Sequence, residues 1–372
     1  MTRSDRLLLI FMIVVTIILW FVPSGFERTI DYKTVRVKAQ IIDTDDSNVV
    51  QTGIIKSGTQ RTTIKVLNGR FKNDTLIADN VLTGRMEFDK YFVPEDKALV
   101  VLNLSKDKKE VVSATLVDHY RLNIELILLV LFAGFLILYA RGTGLKAIVS
   151  FIFAGLLIWK ILLPGYLKGH SPILLSLVIV TLLTAGIIYL VAGINKKGHT
   201  AFAGSFAGII ITGVLAIFFG HLFKVHGAIK PFSETLLYSG FAHLNLTSIF
   251  LAGIFISSSG AVMDIAMDIA AAQDELRSQQ PDISTKALIK SGFSVGRAVV
   301  GTMTTTLLLA YSGGFSALLM VFIAQGTPTV NILNLNYVAG EILHTMVGSF
   351  GLIMVAPFTA IAGGFIMGNR DE

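Results

Sequence analysis

Residues 173–191 read ILLSLVIVTLLTAGIIYLV, nineteen positions without a charge. About twenty such residues, wound as a helix, match the hydrocarbon thickness of a bilayer. Comparable runs occupy 123–140, 148–163, 201–219, 241–262, 299–322 and 337–367, and another, 7–22, stands ahead of them. Hydrophobic residues make up 53% of the 372 and charged residues 15%, whereas soluble domains carry about 25% charged residues. The chain reads as an α-helical polytopic membrane protein with about eight transmembrane helices, and its first partner is the lipid bilayer. There is no cysteine, which excludes disulfides, thiolate metal sites and a catalytic thiol.

Basic residues orient the spans. With the N-terminus inside, the inner side receives Arg3, Arg6, Arg141, Lys146, Lys196, Lys197, Arg277, Lys286, Lys290, Arg297 and Arg370. The short outer loops receive Lys168, Lys224 and Lys230. Eleven against three is a positive-inside bias, with both termini cytoplasmic. The net charge of +6 belongs to these loops and is no sign of nucleic acid. Residues 1–22 read as an uncleaved membrane anchor or a signal peptide. The long apolar run and the missing A-x-A pattern favour the anchor.

Residues 23–119 have a different texture. Val35, Val37, Ala39 and Ile41 alternate with Arg36, Lys38 and Gln40, the period of a half-buried strand. Ile64 and Val66 repeat it, and Asn68-Gly69 is a hairpin signal. Further strands are expected at 75–78, 98–104 and 111–117, with a turn at 106–109. About 95 residues of short strands make a small barrel or sandwich, inserted outside the membrane; an OB-like barrel is the fold-level guess. The aromatics Phe71, Phe88, Tyr91 and Phe92 read as core, not as a base-stacking platform.

In the membrane domain, residues 120–372, ionisable groups are costly and hence candidates for function. Ser257, Gly260, Asp264, Asp268, Ala271 and Glu275 follow at spacings of three or four and share one helix face. The apolar run ends near residue 262, so Asp264 and Asp268 are expected at the inner boundary, in an amphipathic cytoplasmic segment near 263–290. Arg297 with Thr302 and Thr305 is expected at the same depth, Arg297 balancing one of the aspartates. Glu341 and His344, one turn apart, lie in the outer part of the last span, and His243 and Asn245 share that depth. Helical rise puts Glu341 about 25 Å from Asp264 in depth. No metal or other cofactor is expected: neither acidic pair has the further ligands a metal needs.

The second half resembles the YibE/F family of bacterial membrane proteins. The residues are Gly260-Ala-Val-Met-Asp264-Ile-Ala-Met-Asp268-Ile, Gly301-Thr-Met-Thr-Thr-Thr306, Glu341-Ile-Leu-His344, Gly348-Ser-Phe-Gly351 and Pro357. The resemblance implies one anchor, an outer β domain and a helical block in a bacterial cytoplasmic membrane. It implies fold more than activity. The residues themselves point to a secondary transporter or exporter subunit, proton-coupled through Glu341 and His344, with the outer domain receiving substrate or an envelope protein. The alternative is a non-transporting scaffold or assembly factor. No Walker loop, dinucleotide fingerprint or nucleophile elbow occurs, so no enzyme is expected.

Overall fold

The computed structural model describes residues 3–26, 34–105, 107 and 109–368. Arg370, and Lys106 and Lys108 of the expected turn, lie outside them. The chain divides into two compact units, one of them Phe26–Phe135 and the other Met1–Gly25 with Leu136–Glu372.

The first unit is built on strands β1 (Thr34–Asp45), β2 (Val49–Thr52), β3 (Ile55–Val66), β4 (Thr75–Thr83), β5 (Lys97–Leu104) and β6 (Val111–His119). β1 pairs antiparallel with both β3 and β5. β3 pairs with β4, and β5 with β6, also antiparallel. β4 meets β6 in parallel at Asp79 and Thr115. The circuit β1-β3-β4-β6-β5-β1 therefore closes a five-stranded barrel, and β2 folds onto β3 as a hairpin. Closure leaves few unpaired edges. The alternating residues Val37, Ala39, Ile41, Ile64 and Val66 all point into the core.

Two local expectations change. Asn68-Gly69 does not make a two-residue hairpin. Lys65 pairs with Thr75, so the loop is longer, and it tucks Phe71 into the core. Of the four aromatics, only Phe71 and Phe92 are buried. Phe88 lies under Arg85 and Tyr91 under Lys56.

Gln60, wholly buried, pins the loop between β4 and β5. Its Nε2 donates to Phe92 O and Asp46 Oδ1, and its Oε1 accepts from Phe92 N and Asn80 Nδ2. Removing one side of a buried network leaves its partners unsatisfied, at about 1–3 kcal/mol. Gln60→Ala should therefore lower the unfolding free energy of the expressed barrel by about 2–3 kcal/mol in urea titration.

The barrel should also be acid-sensitive. Thr83 donates to Asp89 through both N and Oγ1, and Ser47 N donates to Asp45. These bonds hold both carboxyls below the ordinary carboxylate range. A depressed folded value gives stability that is present above the unfolded value and lost as pH falls through the folded one. Melting at pH 3 should come earlier than at pH 6.

The second unit is helical. α1 is Arg3–Phe21, and α2 runs Leu122–Leu157, its first residues counted with the barrel unit. A π-helical turn at Ile158–Leu162 leads to α3 (Leu163–Leu167), then α4 (Pro172–Ala192), α5 (Lys196–Phe223), α6 (Ser233–Tyr238) and α7 (Leu246–Gln279). α8 (Thr285–Ser312), α9 (Ser316–Ala324), α10 (Thr329–Asn334) and α11 (Asn336–Met367) complete it.

Six stretches among the described residues are long and apolar enough to cross a membrane. One is Leu122–Leu167, 46 residues long, too long for a single crossing. Arg141 breaks it, a non-glycine at φ 48° and ψ −120°. Residues 241–245, expected in a span, precede α7. The span expected at 299–322 is interrupted at Gly313–Phe315. Pro357 lies inside α11 without ending it.

α1 is a structural helix of this unit. Leu9, Met12 and Leu19 pack with Val149, Phe153, Ile179 and Leu183. Asp5 Oδ1 lies 3.2 Å from Nζ of Lys146, whose side chain is only 8% exposed.

Candidate functional site

Close helix contacts fix the relative depth of each side chain. Gly204 and Gly208 of α5 pack against Thr359 and Val355 of α11, and Gly208 also against Val262 of α7. Gly292 of α8 meets Ala360 and Gln273, while Gly296 meets Ala356 and Ile269. Small residues three or four apart let membrane helices approach closely. Gln273, fully buried, ties three helices by donating to Leu288 O and Ala360 O, both at 3.0 Å.

Two ends of the bundle follow. Thr200, Gln273 and Gly363 meet at one end, with Lys196, Lys197, Arg277 and Lys286 beyond them. Gly220 with Leu251, and Gly340 with Ile229 and Phe250, mark the other. Lys224 and Lys230 are at that end, so the basic residues sort as the sequence divides them. Arg297 is the exception. It lies well inside α8, which begins at Thr285.

At the Lys230 end, five polar side chains meet beside the rings of Phe250 and Phe315. Lys230 Nζ donates to Glu341 Oε2 at 3.1 Å, and the same ammonium lies 5.5 Å from the Phe250 ring and 5.4 Å from the Phe315 ring. His344 Nδ1 stands 3.9 Å from Glu341 Oε2, too far for a hydrogen bond. It is buried without a partner, as is the Tyr311 hydroxyl. The Tyr311 ring stacks on His344, with centroids 4.2 Å apart. His344 Nε2 is 2.6 Å from Ser257 Oγ, which also donates to Ile254 O at 2.9 Å.

Proton positions follow from this geometry. Ser257 has one hydrogen; with that hydrogen on Ile254 O, its oxygen accepts from Nε2–H, a tautomer assigned from the network. Nδ1 of the neutral ring then presents a lone pair toward a carboxylate, which explains the orphaned atom.

Three cavities border these groups. An open cleft of about 520 Å3 is lined by Lys230, Phe232, Glu234, Phe315 and Tyr337. A smaller cavity of about 190 Å3 includes both Lys230 and His344. A third, about 150 Å3 and mostly apolar, reaches Glu341 from the Leu308 and Met346 side.

His243 and Asn245 do other work. His243 Nε2 is 3.1 Å from Leu167 O, and Asn245 caps α7 by accepting from Ser248 N. Thr302 donates back to Val299 O, and Thr305 is exposed beside it.

The depth of the aspartates is corrected. Residues 263–279 do not leave the bundle as an amphipathic segment: α7 continues unbroken, with Met263, Ile265, Ala266, Ile269 and Ala270 buried. Val262 packs on Gly208, near the middle of α5, so Asp264 is level with the middle of that helix. From Glu341 to His344 is three residues, and from Ser257 to Asp264 seven. At 1.5 Å per residue the depth difference is about 15 Å, not 25 Å. Asp264 and Asp268 are both exposed on α7, and Arg297 is exposed on α8. Among the described residues no ion pair within 4 Å joins Arg297 to either aspartate.

Sequence reasoning missed Lys230 and Tyr311. Lys230 was visible only as a loop charge, and Tyr311 only as one residue of an apolar run. Ser257 was placed on the acidic face, but its bond to His344 needs the α7–α11 packing. Among the described residues, no group of three or more His, Cys, Asp or Glu side chains is placed to hold a metal ion.

No curated protein and no solved structure matched the chain. The family described as YibE/F-like protein matches residues 128–369. That segment holds α4 to α11 and every side chain of the site just described, and the chain belongs to the YibE/F family.

Proposed function

We propose that this protein is a proton-coupled secondary transporter or exporter subunit of a bacterial cytoplasmic membrane, crossing it eight times with both termini inside. The observation that carries the reading is the 2.6 Å contact between Ser257 Oγ and His344 Nε2. It joins the Lys230–Glu341–His344 group to the exposed face of α7 that runs through Gly260, Asp264 and Asp268. Protonatable groups then follow one another from the open cleft to the level of the middle of α5, as a proton path requires. Positive-inside bias puts the Lys230 end outside. The break at Arg141 supports two crossings in Leu122–Leu167, and α1 supplies the eighth.

The outer unit is assigned as an OB-type barrel. Leaving out the β2 hairpin, its strand order is 1-2-3-5-4-1 with one parallel contact, which supports that topology. Its role is to receive substrate or an envelope protein. Ile77 and Val81 on β4 and Val112 on β6 are 63%, 62% and 70% exposed, and apolar side chains grouped this way favour a protein partner. The same patch supports the second reading, a scaffold or assembly factor.

Ser257, His344 and Glu341 stand in the order of a nucleophilic triad. The bond from Ser257 to Ile254 O and the pairing of Glu341 with Lys230 favour a relay instead, and no catalytic role is assigned. Purified protein in liposomes with a trapped pH dye should dissipate an imposed pH gradient faster than empty vesicles. Equal rates would sink transport and leave the scaffold, whose signature is co-purification of an envelope protein through the barrel.

A further inference from the structure

The charges inside the bundle lack cover. Asp264 and Asp268 on α7 and Arg297 on α8 are all exposed, within helices whose other faces pack or are apolar. The contacts Gln273–Gly292 and Ile269–Gly296 run α8 antiparallel to α7. Continuing that register sets Asp268 level with Arg297, Asp264 with Gly301, and Gly260 with Thr305. A Cβ added at Gly260 or Gly301 would meet nothing within 4 Å, so this seam is open. Lipid tails cannot solvate its charges, and each costs about 2.5–3.5 kcal/mol at the centre of a bilayer.

We infer that a second copy of this chain covers the α7–α8 seam, related by a two-fold axis along the membrane normal. Such an axis preserves depth, and an interface on it is self-complementary. It lays α7 of one copy against α8 of the other. Arg297 of each copy then meets Asp268 and Asp264 of its mate, so two unpaired signs at one depth become two identical pairs. With nothing within 4 Å of a Cβ added at Gly260 or Gly301, the seam keeps a gap at that level which water can fill between the two copies. The seam carries both signs at one depth, which neither lipid nor an apolar helix such as residues 122–140 can match. These charges need cover whatever they carry, so dimerisation and transport can fail separately.

The native chain has no cysteine, so cross-linking is clean. A full-length Gly260→Cys copy and a differently tagged Thr305→Cys copy are co-expressed and oxidised in native membranes. The expected product is a disulfide-linked species of twice the chain mass carrying both tags. It should be absent when Val214→Cys, exposed on α5, replaces Gly260→Cys. Charge variants read the pairing in otherwise cysteine-free chains. Asp268→Arg alone or Arg297→Asp alone should abolish co-purification of differently tagged copies, and both in one chain should restore it. Linkage no stronger than the Val214 control, linkage only to another protein, or a double variant no better than the singles would overturn the dimer. If the single charge variants fail to accumulate, the cysteine pair decides alone. Proton flux without linkage would reject the dimer and keep the transport reading; linkage without flux would do the reverse.

Discussion

Glu341→Gln should reduce proton-driven flux in liposomes to the level of empty vesicles while the protein still folds. Glutamine keeps the shape of the side chain and can still accept from Lys230 Nζ, now 3.1 Å from the carboxylate. It cannot take up or release a proton. The Lys230 ammonium also keeps its two aromatic neighbours, so the melting temperature should move little. Ser257→Ala is the companion. It removes the hydrogen bond of His344 Nε2 but leaves the Lys230–Glu341 pair intact. If protons pass along α7, Ser257→Ala should also lose flux. If Glu341 acts only as a structural partner of Lys230, both variants should transport like wild type.

Asp5→Ala should destabilise the helical unit by about 3 kcal/mol, because removing one partner of a buried pair leaves an uncompensated charge. Lys146 Nζ is that charge, and its side chain is almost fully enclosed. Asp5→Ala with Lys146→Met should recover most of the loss, since a well-packed apolar pair often matches a buried ion pair. Thermal unfolding in mild detergent measures all three proteins. The result also decides the fate of α1: a signal peptide removed after export would make Asp5→Ala silent in the mature protein.

Much of this architecture was legible in the residues. Uncharged runs of bilayer length and the sorting of lysines and arginines mark the spans. Alternation at Val37, Ala39 and Ile41 marks the barrel core. Depth was not legible for α7, because Asp264 and Asp268 break the apolar run that hydropathy follows. The helix stays in the bundle since its other faces carry Met263, Ile265, Ala266, Ile269 and Ala270, which one-dimensional hydropathy averages with the acids. Arg297 was counted as a loop charge for the same reason. The pairing of Glu341 with Lys230, 111 residues apart, is tertiary, and no local spacing encodes it. Glu341 and His344 were found because an i, i+3 pair in an apolar helix is visible in sequence alone.

The central claim is that the α7 face from Ser257 to Asp268 is a hydrated path and not a lipid-facing surface. Thiol accessibility tests it most directly. Single cysteines at Gly260 and Asp264 are compared with cysteines at Val262, buried in the core, and at Val214, exposed on the apolar face of α5. Methanethiosulfonate reagents consume thiolate, which forms only where water reaches the sulfur. The account predicts that positions 260 and 264 react roughly tenfold or more faster than 262 and 214 with a small hydrophilic reagent. Rates at 260 and 264 as slow as at 214 would contradict it.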